Sequence, residues 1–228
     1  MKIENQIIFE DNQVIVLVKP QGVLSQGDET GDENLVDLLK DYVKTKYNKQ
    51  GNVFIGLVHR LDRPTGGLMV FAKTSKAASR LSEQMASGDF EKSYLACLVG
   101  TPKEDSAVLV NYLEKDEKSN IVKCLNYPKS TAKRAELSYR VLEKKDKLSL
   151  VDVKLETGRS HQIRVQFANI GCPLFGDSKY GGDIVKGWDL ALFAYSLKFI
   201  HPTTKDSMVF KCEPPKDVLP WKNFKIKI

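Results

Sequence analysis

The chain has 228 residues, with 42% hydrophobic and 28% charged residues and a formal net charge of +6 at pH 7. This length allows one large or two small domains, and the composition is typical of a globular protein rather than a disordered or fibrous one. No apolar run approaches the roughly 20 residues of a membrane span, and the N-terminal residues lack the apolar segment of a signal peptide. We therefore expect a cytoplasmic protein whose moderate positive charge suits a polyanionic partner.

The cysteines and histidines do not form a recognisable disulfide or metal pattern. The four cysteines are widely spaced without a CxxC pair, so we predict free thiols. None of the three histidines has a partner at the spacing of a metal site. The sequence also lacks the glycine-rich motifs that bind dinucleotides or nucleoside triphosphates, so we predict neither a metal nor a cofactor.

The pattern of apolar residues in the first half predicts strands separated by two helices. Residues 12–20 and 67–73 read as strands because apolar side chains occupy both faces. Helical spacing predicts an amphipathic helix over residues 33–46. A second helix is predicted after an N-cap at Ser75, with its end at Gly88.

The second half predicts further strands and one helix. Residues 101–133 form either a hairpin or an irregular excursion, and a helix runs from an N-cap at Ser160 to Asn169 before a long loop over residues 172–188. The predicted strands cover residues 93–99, 135–142, 148–155, 190–199 and 208–212. We therefore predict an α+β fold with a large mixed, mainly antiparallel sheet flanked by short helices and loops.

One loop places an aspartate between two arginines. Asp62 lies between Arg60 and Arg63, on a turn in which Pro64 fixes φ and Gly66 and its neighbour allow unusual backbone angles. A carboxylate on a rigid turn with cationic neighbours stays ionised, as a reactive group requires. An ordinary ion-paired loop has the same features, so this segment alone leaves both interpretations open.

Two further segments contain residues with two possible interpretations. Tyr94 lies in a predicted strand directly after charged residues, where it either packs in the core or presents its ring to a ligand. Arg164 lies near the N-terminus of a predicted helix, where the helix dipole disfavours a cation. We expect an anionic partner for Arg164 unless its side chain is simply exposed to solvent.

These segments, with two others, resemble the RluA-type family of RNA pseudouridine synthases over nearly the whole chain. The chain departs from the family pattern at Gly66, where a serine is usual, and at Gln166 and Phe193, where histidines are usual. The five similar segments are the KPxG turn that ends at Gly22, the HRLDxxTSG-like segment His59 to Leu68, the KxYxA segment Lys92 to Ala96, the TGRTHQIRxH-like segment that begins at Thr157, and the GDxxYG segment Gly176 to Gly181.

The resemblance implies the pseudouridine synthase fold and an enzyme that isomerises specific uridines in tRNA or ribosomal RNA without a cofactor. It implies that Asp62 is the catalytic carboxylate and that Arg164 pairs with it, because an opposite charge keeps a covered carboxylate ionised. It also implies that Tyr94 stacks on the flipped base and that Arg60 helps to displace that base.

Domain organisation and RNA contacts follow as further expectations. Because the KPxG strand begins so early, we expect a single catalytic domain over residues 1–228, without an N-terminal S4 domain, in a monomeric protein. Lys129, Lys133 and Arg134 form either a solvated loop or a basic finger that grips RNA phosphates. Arg63 and Arg159 are further candidates for lining the cleft.

Two other functions remain open at this point. One is a catalytically silent RNA-binding protein on the same fold, although Asp62, Tyr94 and Arg164 are all present. The other is a hydrolase with a carboxylate nucleophile that acts on a small substrate. Such hydrolases usually need a second acid or base or a metal, and the sequence places no such group near Asp62.

Overall fold

The structure is a computed structural model that describes residues 1–181 and 189–228. Residues 182–188 of the predicted loop 172–188 lie outside the described residues. The chain divides into two compact units, which comprise Met1–Glu91 with Ala194–Cys212 and Lys92–Phe193 with Glu213–Ile228. Among the described residues, no helix combines the length and apolar character that a membrane crossing requires.

The described residues form strands and helices in an α+β arrangement. Every strand pairing with a described register is antiparallel, so the predicted fold class with its large, mainly antiparallel sheet is confirmed. In chain order the elements are β1 (Ile7–Glu10), β2 (Val14–Lys19), α1 (Leu35–Lys46), β3 (Gly56–Leu57), β4 (Gly66–Ala72), α2 (Ser75–Ser87), β5 (Glu91–Val99), β6 (Ser106–Asp116), β7 (Ile121–Leu125), β8 (Lys133–Lys145), β9 (Leu148–Leu155), α3 (Gln162–Asn169), β10 (Leu192–Ile200) and β11 (Ser207–Lys211).

The first unit is built around two fully apolar strands. Its strand order is β1-β2-β4-β10, with β3 paired to β4 and β11 paired to β10. All seven residues of β4 are buried, and so are five of the six in β2. One face of these strands packs with α2 through Ala77 and Leu81 and with Phe199 of β10. Burial on both faces explains why β2 and β4 show no alternation of apolar and polar residues.

The helices of the first unit agree with the predictions except at one cap. The helix α1 begins after Asn34, whose side chain accepts a hydrogen bond from the backbone N–H of Asp37. The predicted N-cap at Ser75 is wrong, because Thr74 has the extended backbone and its Oγ1 accepts from the N–H of Ala77 at 3.1 Å. Two adjacent hydroxyl residues offer the same cap chemistry, and the backbone angle decides between them.

The second unit contains an antiparallel array in the order β5-β9-β8-β6-β7. The pairing of β6 with β7 confirms the hairpin that was one of the two predictions for residues 101–133. Tyr94, Val153 and Tyr139 lie opposite one another on three adjacent strands, and residues in that position share a face. The Tyr139 ring packs against Phe167 of α3 at a centroid distance of 5.3 Å, so α3 covers this face.

The start of α3 differs from the prediction. Ser160 does not cap it; His161 holds the N-cap position in the left-handed conformation with φ of 52° and no side-chain cap. The preceding loop is fixed instead by the Gln162 side chain. Its Oε1 accepts from the Arg159 N–H at 3.0 Å and from the Thr157 hydroxyl at 2.8 Å. The amide of Gln162 therefore fixes the loop before α3, and the first turn of the helix has no side-chain cap.

A buried carboxylate joins three elements of the first unit. The side chain of Glu10 in β1 is 6% exposed and accepts from the ammonium groups of Lys46 and Lys73, each at 2.7 Å. It also accepts from the hydroxyls of Tyr42 and Tyr47, each at 2.8 Å. Burial raises the pKa of Glu10, but these hydrogen bonds outweigh burial and bring the pKa to about 2.

The Glu10 cluster predicts a pH-dependent loss of stability. The folded pKa lies below the ordinary value of 4.5, so the contribution is complete above about pH 4.5 and is lost as the pH falls toward 2. We expect Glu10→Gln to lower the free energy of unfolding by about 3 kcal/mol at pH 7 and by less at pH 3, as measured by urea denaturation. The exposed Glu83→Gln is the control. An equal loss for Glu10→Gln at both pH values would contradict this account.

Gly67 is required by a close backbone approach. It has φ of 120°, and a Cβ atom at this position would lie 2.3 Å from the carbonyl oxygen of Ala194. No side chain fits there without a shift of the Ala194 backbone. The glycine therefore allows β4 and β10 to approach each other within the first unit.

We expect Gly67→Ala to lower the free energy of unfolding by at least about 3 kcal/mol, because it adds a backbone clash to the cost of positive φ. Gly88→Ala is the matched control, since Gly88 has φ of 89° but open space around its missing Cβ. The control should lose only about 1 kcal/mol. Denaturant unfolding measures both variants, and similar losses would show that the clash is relieved at little cost.

Candidate active site

The loop that carries Asp62 is held by a buried lysine. Lys19 at the end of β2 is 0% exposed, and its Nζ donates to the backbone carbonyls of Pro20 at 3.0 Å, Arg63 at 3.0 Å and Thr65 at 2.8 Å. An ammonium group has three hydrogens, so each has one acceptor. Burial lowers the pKa of Lys19 to about 7, although the negative charge of Asp62 acts in the opposite direction.

Two more side chains attach the loop on either side of Asp62. The hydroxyl of Ser25 donates to the carbonyl of Leu61 at 2.8 Å and accepts from its N–H at 3.2 Å. The amide of Gln21 donates to the carbonyl of Pro64 at 2.8 Å. The backbone of this loop is therefore fixed by side chains from the segment that follows β2.

The two arginines beside Asp62 have different environments. Arg63 donates from Nε to the carbonyl of Gly22 at 3.0 Å and pairs with Asp32 at 2.8 Å, so it joins two loops of the first unit. Arg60 is exposed, and within residues 1–181 and 189–228 its side chain makes no hydrogen bond or ion pair. Arg60 is therefore available for a ligand, whereas Arg63 has a structural role.

Asp62 itself is half-buried on this fixed backbone. Its carbonyl accepts from the Thr65 N–H at 2.9 Å, which closes a tight turn directly after the carboxylate. The neighbouring His59 is 5% exposed and accepts from the Val70 N–H through Nε2 at 3.2 Å. His59 therefore anchors the start of the segment, and Asp62 lies on a backbone whose position is set by its surroundings.

Arg164 has the anionic partner that its helix position led us to expect. Its guanidinium forms two parallel hydrogen bonds with Asp177, from Nε to Oδ2 at 2.8 Å and from Nη2 to Oδ1 at 2.7 Å. Arg164 is 7% exposed and Asp177 is 1% exposed, so the pair is buried. The pairing of Arg164 with Asp62 that the family resemblance implies stays a prediction.

Asp177 is the partner of Arg164, a role that the sequence reasoning did not assign to it. It also accepts from the backbone N–H groups of Lys179 and Tyr180, which fixes the turn of the GDxxYG segment. The Tyr180 ring lies 5.2 Å from the guanidinium carbon of Arg164, and its hydroxyl lies 2.6 Å from Nδ1 of His161. The sequence signal for this partner was the position of Arg164 near the start of a helix, which predicts a nearby carboxylate.

Tyr94 and Gln166 are both held firmly in the second unit. Tyr94 is 5% exposed on the sheet face that α3 covers. Gln166, where the family usually has a histidine, is fully buried, and its Nε2 donates to the carbonyl of Leu109 at 3.2 Å and to Oδ1 of Asn111 at 2.8 Å. The amide thus connects α3 to β6.

The structure divides the predicted basic finger. Lys129 pairs with Glu114 at 2.7 Å, and Arg134 pairs with Glu136 at 2.5 Å. Lys133 makes no ion pair or hydrogen bond through its side chain within the described part of the chain. Two of the three cations are therefore balanced by glutamates, which weakens the interpretation of this segment as a uniformly positive finger.

Comparisons with known proteins agree on one family. The family model for RNA pseudouridylate synthase matches residues 13–169. An RNA pseudouridine synthase of Aquifex aeolicus is 35% identical over 94% of this chain and 72% of its own length. Ribosomal large subunit pseudouridine synthase D of Zymomonas mobilis is 34% identical over 93% of this chain and 70% of its own length.

Solved structures show the same fold. Human RNA pseudouridylate synthase domain containing 4 superposes with a TM-score of 0.78 at 22% identity, covering 94% of this chain and 90% of the human one. Human RNA pseudouridylate synthase domain containing 1 gives a TM-score of 0.73, covering 95% and 85%. The chain therefore belongs to the RNA pseudouridylate synthase family, as a member of the RluA type, and its reaction class is the isomerisation of uridine in RNA.

Proposed function

We propose that this protein converts specific uridines of tRNA or ribosomal RNA to pseudouridine and that Asp62 is its catalytic carboxylate. The observation that carries this proposal is the support of the Asp62 loop by Lys19, Ser25 and Gln21. A reacting group held at a fixed position avoids the entropy cost of finding the reactive geometry.

The reaction needs only one ionised carboxylate and a means of holding the base. The bond from C1′ to N1 breaks, the uracil turns, and a bond from C1′ to C5 forms. The proton on C5 leaves and N1 gains one, so the reaction is balanced without an oxidant or a second substrate. Asp62 either adds covalently to the sugar or base, or removes a proton from the sugar to give a glycal.

The other residues of the site would act on the flipped nucleotide. Arg60 is exposed beside Asp62, which suits a guanidinium that enters the space left by the base. Tyr94 would contact the base through the part of its ring that reaches the surface. Arg164 would keep Asp62 ionised, with its own orientation set by Asp177.

Relatives favour ribosomal RNA as the substrate. Those from Zymomonas mobilis and Vibrio cholerae are named ribosomal large subunit pseudouridine synthases, whereas the sequence alone left tRNA and ribosomal RNA equally open. The single catalytic domain, the monomeric state and the cytoplasmic location expected from the sequence stay predictions. Mapping pseudouridines in total RNA with and without the gene would identify the substrate directly.

Asp62→Asn should remove activity without removing RNA binding, because it keeps the shape of the side chain and deletes its charge. We expect tritium release from 5-tritiated uridine RNA to fall by at least about 10³-fold while the dissociation constant for RNA changes little.

The control is Asp41→Asn, which makes the same chemical change at an exposed aspartate of α1 and should keep the activity. Turnover of Asp62→Asn within about tenfold of wild type would overturn the assignment of Asp62. A wild-type protein that binds RNA but is inactive on tRNA and both ribosomal RNAs would favour the silent RNA-binding alternative.

Arg60→Ala should affect structured RNA more than unstructured RNA, because only a stacked base must be displaced before reaction. Flipping a base costs a few kcal/mol in a duplex and least in a single strand. We expect a larger fall in kcat/KM on a folded RNA than on an unstructured oligonucleotide that contains the same uridine. Equal losses on the two substrates would count against a role for Arg60 in base displacement.

A further inference from the structure

Lys92 and Tyr94 lie on the same face of β5. Side chains two residues apart in a strand point to the same side, about 6.6 Å apart along the chain. Tyr94 faces α3, so Lys92 lies on that side as well. Lys92 is half-buried, and this burial lowers the pKa of its ammonium group.

The Lys92 ammonium lies beside the loop that precedes α3. A Cβ atom built on Gly158 would be 3.7 Å from Nζ of Lys92. The next residue, Arg159, is exposed, and its Nε donates to the backbone carbonyl of Arg134 at 3.0 Å. The loop therefore passes beside Lys92 at Gly158 and places a second cation, Arg159, against the backbone at the start of β8. Nε is anchored, and the two Nη groups of Arg159 have no partner within the described residues.

The start of β8 supplies a third cation on the same side. Ala135 and Leu137 are fully buried, and Leu137 lies two residues from Tyr139, which packs on α3. Strand alternation places Lys133 on the side of Ala135 and Leu137, and it places Arg134 on the opposite side. Arg134 pairs there with Glu136.

We propose that Lys92, Arg159 and Lys133 form a track that binds the phosphates of RNA next to the nucleotide held at Tyr94. The proposal rests on the proposed function, because it takes the base of the target uridine to lie at Tyr94. The track runs from β5, across the loop before α3, to the start of β8, and all three members lie in the second unit.

The chemistry of the track fits a polyanionic strand. Three cations in sequence, two of them exposed, attract a chain of regularly spaced negative charges better than they attract a single carboxylate. The hydrogen bond from Nε already orients the Arg159 side chain, so its Nη groups would lose little conformational entropy on contacting a phosphate. An adjacent aromatic ring and a basic path together are the features that bind single-stranded nucleic acid.

The test is the salt dependence of RNA binding. The probe is a fluorescein-labelled RNA stem–loop with uridines in the loop, titrated between about 50 and 200 mM salt. Each lost phosphate contact should reduce the slope of log K against log salt by about 0.7, so Lys92→Gln, Arg159→Gln and Lys133→Gln should each show this reduction and the triple variant about 2. Thermal unfolding checks that Lys92→Gln is folded. If it is not, the variants of the exposed residues Arg159 and Lys133 still test the proposal.

Arg134→Gln is the matched control, since it removes one positive charge from the residue next to Lys133 but on the opposite face. Its slope should equal that of wild type. The track is overturned if Arg134→Gln lowers the slope as much as Lys133→Gln, or if none of the three variants lowers it.

The same RNA carrying 5-tritiated uridine separates this inference from the proposed function. Pseudouridine formation by wild type together with unchanged slopes in the variants would reject the track alone. Reduced slopes in the variants of a protein inactive on every RNA tested would reject the proposed function and leave a phosphate-binding track. If wild type bound an acidic peptide as tightly as it binds the RNA, the track would be rejected as an RNA site.

Discussion

The position of Asp62 depends on a charged group that has been taken out of water. Burying an ammonium is costly unless its hydrogens find acceptors, and Lys19 finds three of them in backbone carbonyls. Two of these carbonyls belong to the Asp62 loop, more than forty residues further along the chain. Lys19 is also opposite Gly67 in the pairing of β2 with β4. A shift of that register by one residue would turn the ammonium to the other face of the sheet, so the register of two apolar strands determines the geometry of the Asp62 loop.

The same loop shows how neighbouring identical residues acquire different roles. In the sequence, Arg60 and Arg63 flank Asp62 and look equivalent. In the structure Asp32 and the carbonyl of Gly22 bind Arg63, which makes it part of the loop's support. Arg60 has no such contact among the described residues and stays exposed. Only long-range contacts distinguish the two arginines, because Asp32 lies in a different loop from Asp62.

Sequence reasoning succeeded where local chemistry decides and failed where tertiary contacts decide. The buried strands β2 and β4 and the helix α1 follow from apolar spacing, and the motif order identifies the family. The predicted cap at Ser75 was wrong because Thr74 offers the same hydroxyl and has the extended backbone. The predicted cap at Ser160 was wrong because α3 begins one residue later, after a left-handed His161 that makes no side-chain cap. The edge strand β1 was missed because it is short and half-exposed. The glutamate that pairs with Lys129 lies on β6, fifteen residues earlier, which no local pattern reveals.

The Arg164–Asp177 pair shows how the second unit buries an arginine. A buried arginine without a carboxylate would cost several kcal/mol, so Asp177 makes its burial possible before any RNA arrives. The bidentate geometry fixes the plane of the guanidinium, and the Tyr180 ring packs against it. Two of the guanidinium N–H groups are thus committed to Asp177, so the orientation of Arg164 is set inside the second unit by the GDxxYG turn and α3. The contribution of Asp177 is therefore a fixed direction for the arginine as well as a counter-charge.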